Sequence, residues 1–179
     1  MKNDRGISRE ELDTVVELLI NEKNYRIALL IITVLWTGYS EKELQKLTKK
    51  DLCKTEPYIN DECKNLTSRC QDYLDKLNED ELLFNMSSRH INRLLSDVRR
   101  CKMDIIIKSL TVYQLQRMYA RVLRLYYIHA EGLNEWEAGK RIQNRFGFKH
   151  LNDVYNFLEL KKPERPKKPP KPDKGTYVI

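Results

Sequence analysis

Thr111-Val-Tyr-Gln-Leu-Gln-Arg-Met-Tyr-Ala120 is the stretch whose reading decides this chain. Thr111 is a residue type that caps helix N-termini, and a helix of about residues 112 to 130 is expected behind it. The opening turns of that helix carry Tyr113, Gln116 and Arg117, and Arg121 follows Arg117 after one further turn. The chemistry open to the chain turns on what stands at those positions.

Helical periodicity extends outward from this stretch in both directions. Ser8 and Glu11 have the spacing of a capping box. Leu12, Val15, Val16, Leu19 and Ile20 then recur at three and four, which makes an amphipathic helix. Tyr25 to Trp36 is apolar almost all round and is expected at the centre of the core, ending at Gly38. Ser40 and Glu43 repeat the capping-box pattern and open a short helix through Leu47. Residues 53 to 61 are a hairpin or a loop. Further helices are expected at about 63 to 78, 88 to 102, 135 to 146 and 151 to 160, with Ser87 or Ser88, Asn134 and Asn152 as caps. The fold class is mainly α, with at most a small reduced β-hairpin, in one domain of residues 1–160 followed by a tail of residues 161–179.

Of the 179 residues, 41% are hydrophobic and 33% charged, ordinary for a water-soluble globular chain. The longest apolar run, Ile27 to Trp36, is too short to span a bilayer, and the first residues lack the apolar stretch of a signal peptide. No membrane association and a cytoplasmic location are expected. Cys53, Cys63, Cys70 and Cys101 form no C-x-x-C pair, and His90, His129 and His150 are scattered, so neither a metal site nor any cofactor is expected. Net charge is +7. From Lys161 onward, six lysines and one arginine stand against Glu164 and Asp173, so the tail holds +5 and the body only +2. A nucleic-acid surface on the body must then be a local patch. The tail also holds five of the six prolines, and is expected to be extended, polyproline-like and solvated.

Several segments resemble, in order, the catalytic domain of the tyrosine recombinases (phage integrases). Thr37-Gly-Tyr-Ser-Glu-Lys-Glu-Leu44 is similar to that family's T-G-L-R-x-x-E-L, and Leu47 to Leu52 to the L-x-x-x-D-I that starts a strand. Leu83-Phe84 resembles the L-F before a serine-capped helix. Thr111 to Ala120 resembles T-x-H-x-L-R-H-T-F-A, and Ile142 to Phe148 resembles I-Q-x-x-L-G-H. The resemblance covers about Ile7 to Leu160 and implies the recombinase catalytic fold.

It also implies which residues should do chemistry. In the family a tyrosine oxygen attacks a DNA phosphodiester while two arginines and a histidine stabilise the developing charge, and a lysine protonates the leaving oxygen. Aligned without gaps, the arginine positions are held by Ser40 and Gln116, the histidine positions by Tyr113 and Phe148, and the nucleophile position by Phe157. Phe157 has no oxygen, and Ser40 and Gln116 hydrogen-bond without carrying charge. Lys54 is a loose candidate for the lysine. These losses imply no catalytic residue and a scaffold without strand scission. A shifted register offers Arg117 as second arginine and Tyr155 as nucleophile, which would make an active recombinase or nickase. Read only as structure, Tyr155 is a packing ring and Arg117 an ion-paired or snorkelling side chain.

The resemblance further implies double-stranded DNA as partner. The helix after L-F would lie in the major groove, presenting Ser88, Arg89, His90, Asn92 and Arg93, with Ile91 and Leu94-Leu95 towards the core, and it ends at Arg99-Arg100. Arginine suits guanine there and asparagine suits adenine. Lys42, Lys46, Lys49, Lys50, Arg117 and Arg121 are candidates for phosphate contacts. The expected function is a non-catalytic DNA-binding regulator or repressor of a phage or mobile element, nucleoid-associated. The alternatives are the shifted-register enzyme, and a module that pairs with itself or with an intact recombinase-fold protein through its terminal segment.

Overall fold

The computed structural model describes residues 8–52, 68–102 and 110–165, and is mainly α-helical. The chain divides into two compact units between Val122 and Leu123, inside one continuous helix.

The first unit opens with α1 (Arg9–Asn21), whose capping box forms as its sequence requires. Ser8 Oγ accepts from the Glu11 amide at 3.2 Å, and Glu11 Oε2 accepts from the Ser8 amide at 2.6 Å. Leu12, Val15, Val16, Leu19 and Ile20 are buried against α2 (Tyr25–Thr37). In α2 every residue from Ala28 to Thr37 is buried, the reason its sequence is apolar all round. Each such aliphatic side chain contributes about 1.5–3 kcal/mol by leaving water. Thr37, among the few polar residues there, satisfies its hydroxyl on the Thr33 carbonyl at 2.7 Å. Gly38 closes the helix at φ +69°, a conformation that penalises any side chain.

A second capping box, Ser40 with Glu43, starts α3 (Glu41–Leu44). No extended strand follows Leu47 among the described residues, which stop at Leu52 and resume at Ser68. A single bridge pairs Thr48 with Leu82, and Lys49–Asp51 turns into a 3₁₀ helix. The reason is that Thr48 Oγ1 caps back onto Asp51 Oδ2 at 2.6 Å, coiling the chain where a strand would run on. The possible hairpin at 53 to 61, Lys54 included, lies outside the described residues. Of the helix expected over 63 to 78, residues 63–67 lie outside the described residues; Ser68 is helical, and α4 (Gln71–Leu74) follows after a turn. In α4 the buried apolar residue is Leu74. Leu83 and Phe84 are buried and lead into α5 (Ser88–Lys102), capped by Ser87, whose Oγ accepts from the His90 amide at 3.3 Å. Ile91, Leu95 and Val98 face the core, while Leu94 is only half-buried. The first turns of α6 (Val112–His129) complete this unit with buried Val112, Leu115, Tyr119 and Ala120.

The second unit holds the rest of α6, α7 (Glu135–Phe146) and α8 (Leu151–Leu158). Asn134 caps α7 with a complete box to Glu137, and Gly147 ends it at φ +68°. The cap of α8 is His150, not Asn152: Asp153 accepts from the His150 amide at 3.2 Å, which places the box two residues earlier. Gly139 lets α8 approach α7 closely, with Tyr155 and Leu151 where a side chain would stand. Among the described residues no helix is long and apolar enough to cross a membrane.

Candidate nucleic-acid interface

Helices α3 and α5 are joined edge to edge by side chains. Gln45 Nε2 donates to the Met86 carbonyl at 3.0 Å and to Ser88 Oγ at 3.4 Å. Asn92 Nδ2 donates to Glu41 Oε1 at 3.3 Å, and Asn92 Oδ1 is buried with no hydrogen-bond partner among the described residues. Two of the five expected base-contacting residues, Ser88 and Asn92, are therefore committed to the α3 seam. The adenine-reading role that the sequence suggests for Asn92 would require breaking its contact with Glu41.

The remaining three stand free. Arg89, His90 and Arg93 are exposed and form no ion pair among the described residues. At 100° per residue, Arg89 and Arg93 make one row, one turn apart, on the side of α5 next to the α3 seam, and His90 lies further round. Lys42 on α3 and Lys46 in the turn that follows it are exposed and likewise form no ion pair among the described residues. The side chains of Arg99 and Arg100 are outside the described residues.

Two other lysine candidates are engaged elsewhere. Lys49 Nζ sits 3.2 Å from Glu79 Oε1 and donates to the Leu77 carbonyl at 3.2 Å. Lys50 pairs with Asp80, and that carboxylate raises the lysine pKa above its usual range. Nothing local in the sequence announces partners some thirty residues away. Arg117 is half-buried, its guanidinium 5.1 Å above the Tyr113 ring, and Arg121 is exposed.

The positions matching catalytic residues gather within each unit. Gln116 Nε2 donates to the Gly38 carbonyl at 2.8 Å, across 78 residues of sequence, so two motif segments meet at the Gly38–Ser40 turn. Ser40 Oγ donates to Glu43 Oε2 at 2.7 Å, and the Ser40 amide reaches the same oxygen at 2.8 Å. A carboxylate thus occupies the donors of the position where phosphoryl chemistry would want a cation. Tyr113 is half-exposed and points its ring at Arg117.

In the second unit Phe148 and Phe157 lie together, ring centroids 5.3 Å apart, with Phe146 at 6.1 Å from the first and 5.5 Å from the second. The two positions are an apolar aromatic cluster with no donor and no nucleophile. Tyr155 is 2% exposed, and its hydroxyl donates to the Glu135 carbonyl at 2.6 Å. Burial, then the nearby Glu135 carboxylate, push its phenol pKa up, the wrong direction for a phenolate nucleophile.

No family model, curated protein or solved structure matches the chain.

The recombinase resemblance accordingly rests on the motifs themselves. One conspicuous side chain was not singled out by any motif. Trp136, in the first turn of α7, is half-buried, with Lys140 one turn on and Lys162 and Arg165 of the following segment also near its ring. The Trp-x-x-x-Lys spacing is the local signal for the first of these contacts.

Proposed function

We propose that this chain is a non-catalytic DNA-binding protein acting as a regulator, such as a repressor, of a phage or mobile element. The observation that carries the reading is a set of exposed cations with no ion pair among the described residues on two joined segments: Lys42 and Lys46 on one, Arg89 and Arg93 on the other, with His90 further round α5. These segments are tied together by Gln45 and by Glu41–Asn92, so the set is held on a rigid base. Rigid presentation is what groove recognition needs, since flexible cations give up binding free energy to ordering. The arginines are the base-reading groups in this proposal, with a guanine preference, and the lysines set position on phosphates.

Four other residues support a role without catalysis. Ser40 is bound to a carboxylate, Gln116 to a backbone carbonyl, and Phe157 lies in an aromatic cluster. Tyr155, the nucleophile of the shifted register, would have to leave a buried hydrogen bond before it could reach a phosphate.

Selection of binding sites from a random duplex library, followed by titration of the enriched duplex, tests the reading. Enrichment of a guanine-bearing site, bound at least tenfold more weakly by Arg89→Ala/Arg93→Ala, is the expected result. No enrichment, with equal affinity for all duplexes in wild type and variant, refutes it. A nicked suicide duplex run in parallel should yield no covalent adduct.

A further inference from the structure

Three cations converge on one indole. Lys140 Nζ lies 6.0 Å from the Trp136 ring centroid, Lys162 Nζ 5.7 Å and Arg165 Cζ 6.0 Å. None of the three forms an ion pair among the described residues, and all three are exposed. Cations within about 6 Å of one centroid are at most about 12 Å apart, and like charges at that separation repel by about 0.3 kcal/mol in bulk water, more when closer. The quadrupole of the ring offsets that repulsion, since a cation near an exposed indole gains about 0.5–1 kcal/mol. An anion placed among them would stabilise the cluster further.

The sequence beyond Arg165 repeats the same arrangement. From Lys162 the chain reads Lys-Pro-Glu, Arg-Pro-Lys, Lys-Pro-Pro, Lys-Pro-Asp and then Lys174-Gly. Every third residue, Lys162, Arg165, Lys168, Lys171 and Lys174, is a cation, and Pro163, Pro166, Pro169 and Pro172 follow each of the first four. Both acidic residues, Glu164 and Asp173, fall in the third column. Polyproline II has three residues per turn and rises about 3.1 Å per residue. In that conformation all five cations share one edge, about 9 Å apart. Lys162 and Arg165, the two described members of the series, both approach Trp136. A protein groove that takes a proline ridge does so with aromatic side chains and does not call for a cation at every third residue. A cation on every turn for five turns matches a partner with a regularly repeated negative charge.

We infer that Trp136, Lys140, Lys162 and Arg165 form a phosphate-binding site for a nucleic-acid backbone, the root of a sequence-independent arm that the later cations of the repeat extend. Trp136 holds the two segment cations in place beside Lys140, so the site is assembled before the backbone arrives. The inference shares with the proposed function only the class of ligand. It uses other residues, in the other unit, and gives no base preference.

The test uses the full-length chain and a duplex of arbitrary sequence, with Kd measured from 50 to 300 mM salt. Lys140→Gln/Lys162→Gln/Arg165→Gln is expected to weaken binding at least tenfold at low salt. It should also flatten the plot of log K against log salt by up to about 2.7, since each phosphate contact contributes about 0.9. Trp136→Leu keeps all the charges and should weaken binding threefold or more, and duplex should quench the Trp136 emission in wild type. A triple variant that binds like wild type with an unchanged slope overturns the inference, even if Arg89→Ala/Arg93→Ala abolishes selective binding. Loss confined to the triple variant leaves the inference standing and removes the guanine-reading role of α5. Binding to phosphatidylglycerol vesicles without binding to duplex overturns it in favour of a lipid surface.

Discussion

Gly139→Ala separates a structural Tyr155 from a reactive one. A Cβ at position 139 would collide with the Tyr155 hydroxyl, stand 2.9 Å from its Cζ and 3.1 Å from Leu151 Cδ1. Tyr155 cannot retreat freely, because its hydroxyl is held 2.6 Å from the Glu135 carbonyl one turn earlier on α7. Overpacking of this kind costs about 1–3 kcal/mol. Displacing the phenol also loses a hydrogen bond worth about 1 kcal/mol. Against this, alanine in a helix interior gains about 1 kcal/mol over glycine. The net expectation is a loss of about 1–3 kcal/mol, read from urea unfolding followed by far-UV circular dichroism and by tryptophan emission. In a Tyr155→Phe background the hydroxyl clash and the hydrogen bond are both gone, so the same glycine substitution should cost about 1 kcal/mol less. A Gly139→Ala protein as stable as wild type, or an equal cost in both backgrounds, would mean that Tyr155 does not sit where it has been placed. The phenol would then be free to act.

Lys42→Gln/Lys46→Gln should weaken duplex binding severalfold at low salt, while Lys49→Gln/Lys50→Gln changes it by less than about twofold, because Glu79 and Asp80 already neutralise that pair; equal losses in a gel-shift titration would remove the distinction. Gln116→Ala leaves the Gly38 carbonyl without its 2.8 Å donor and should cost about 1 kcal/mol of stability in urea unfolding; no change would detach the two motif segments from each other. The Tyr155 phenol, raised above 10.0 by burial, is protonated in the fold to a higher pH than in the unfolded chain. Its contribution to stability is thus complete below pH 10 and disappears as pH climbs through the folded value. A spectrophotometric titration of wild type minus Tyr155→Phe should show that tyrosine ionising above 10.0, and a difference curve centred at or below 10 would contradict its burial.

The elements were legible where local chemistry sufficed. Ser8, Ser40 and Asn134 each brought a glutamate three residues on, and Gly38 and Gly147 stopped helices at left-handed backbone that only glycine accepts cheaply. The misreadings came where the signal was longer-ranged or shared between neighbours. Leu47 to Leu52 has the residues of a strand start, yet among the described residues it makes one bridge, Thr48 to Leu82, before Lys49–Asp51 coils behind the Thr48–Asp51 contact. Asn152 is a good capping residue, yet His150 with Asp153 offered a complete box two positions earlier. Lys49 and Lys50 look like any solvated cations until the chain returns with Glu79 and Asp80.

The candidate site divides along the same line. Which residues carry positive charge is written in the sequence, and which of those charges remain available is a property of the fold. Among the described residues, pairing removes Lys49 and Lys50 and an aromatic ring engages Arg117, while Lys42, Lys46, Arg89 and Arg93 stand exposed without an ion pair on α3, the turn after it and α5. A compensated cation gives little to a phosphate, because its own carboxylate must be desolvated and displaced first. The body's excess of +2 therefore understates what it can present locally. A polyanion meets the few charges with no partner, and the helices that carry them decide whether it is held in one register or in many.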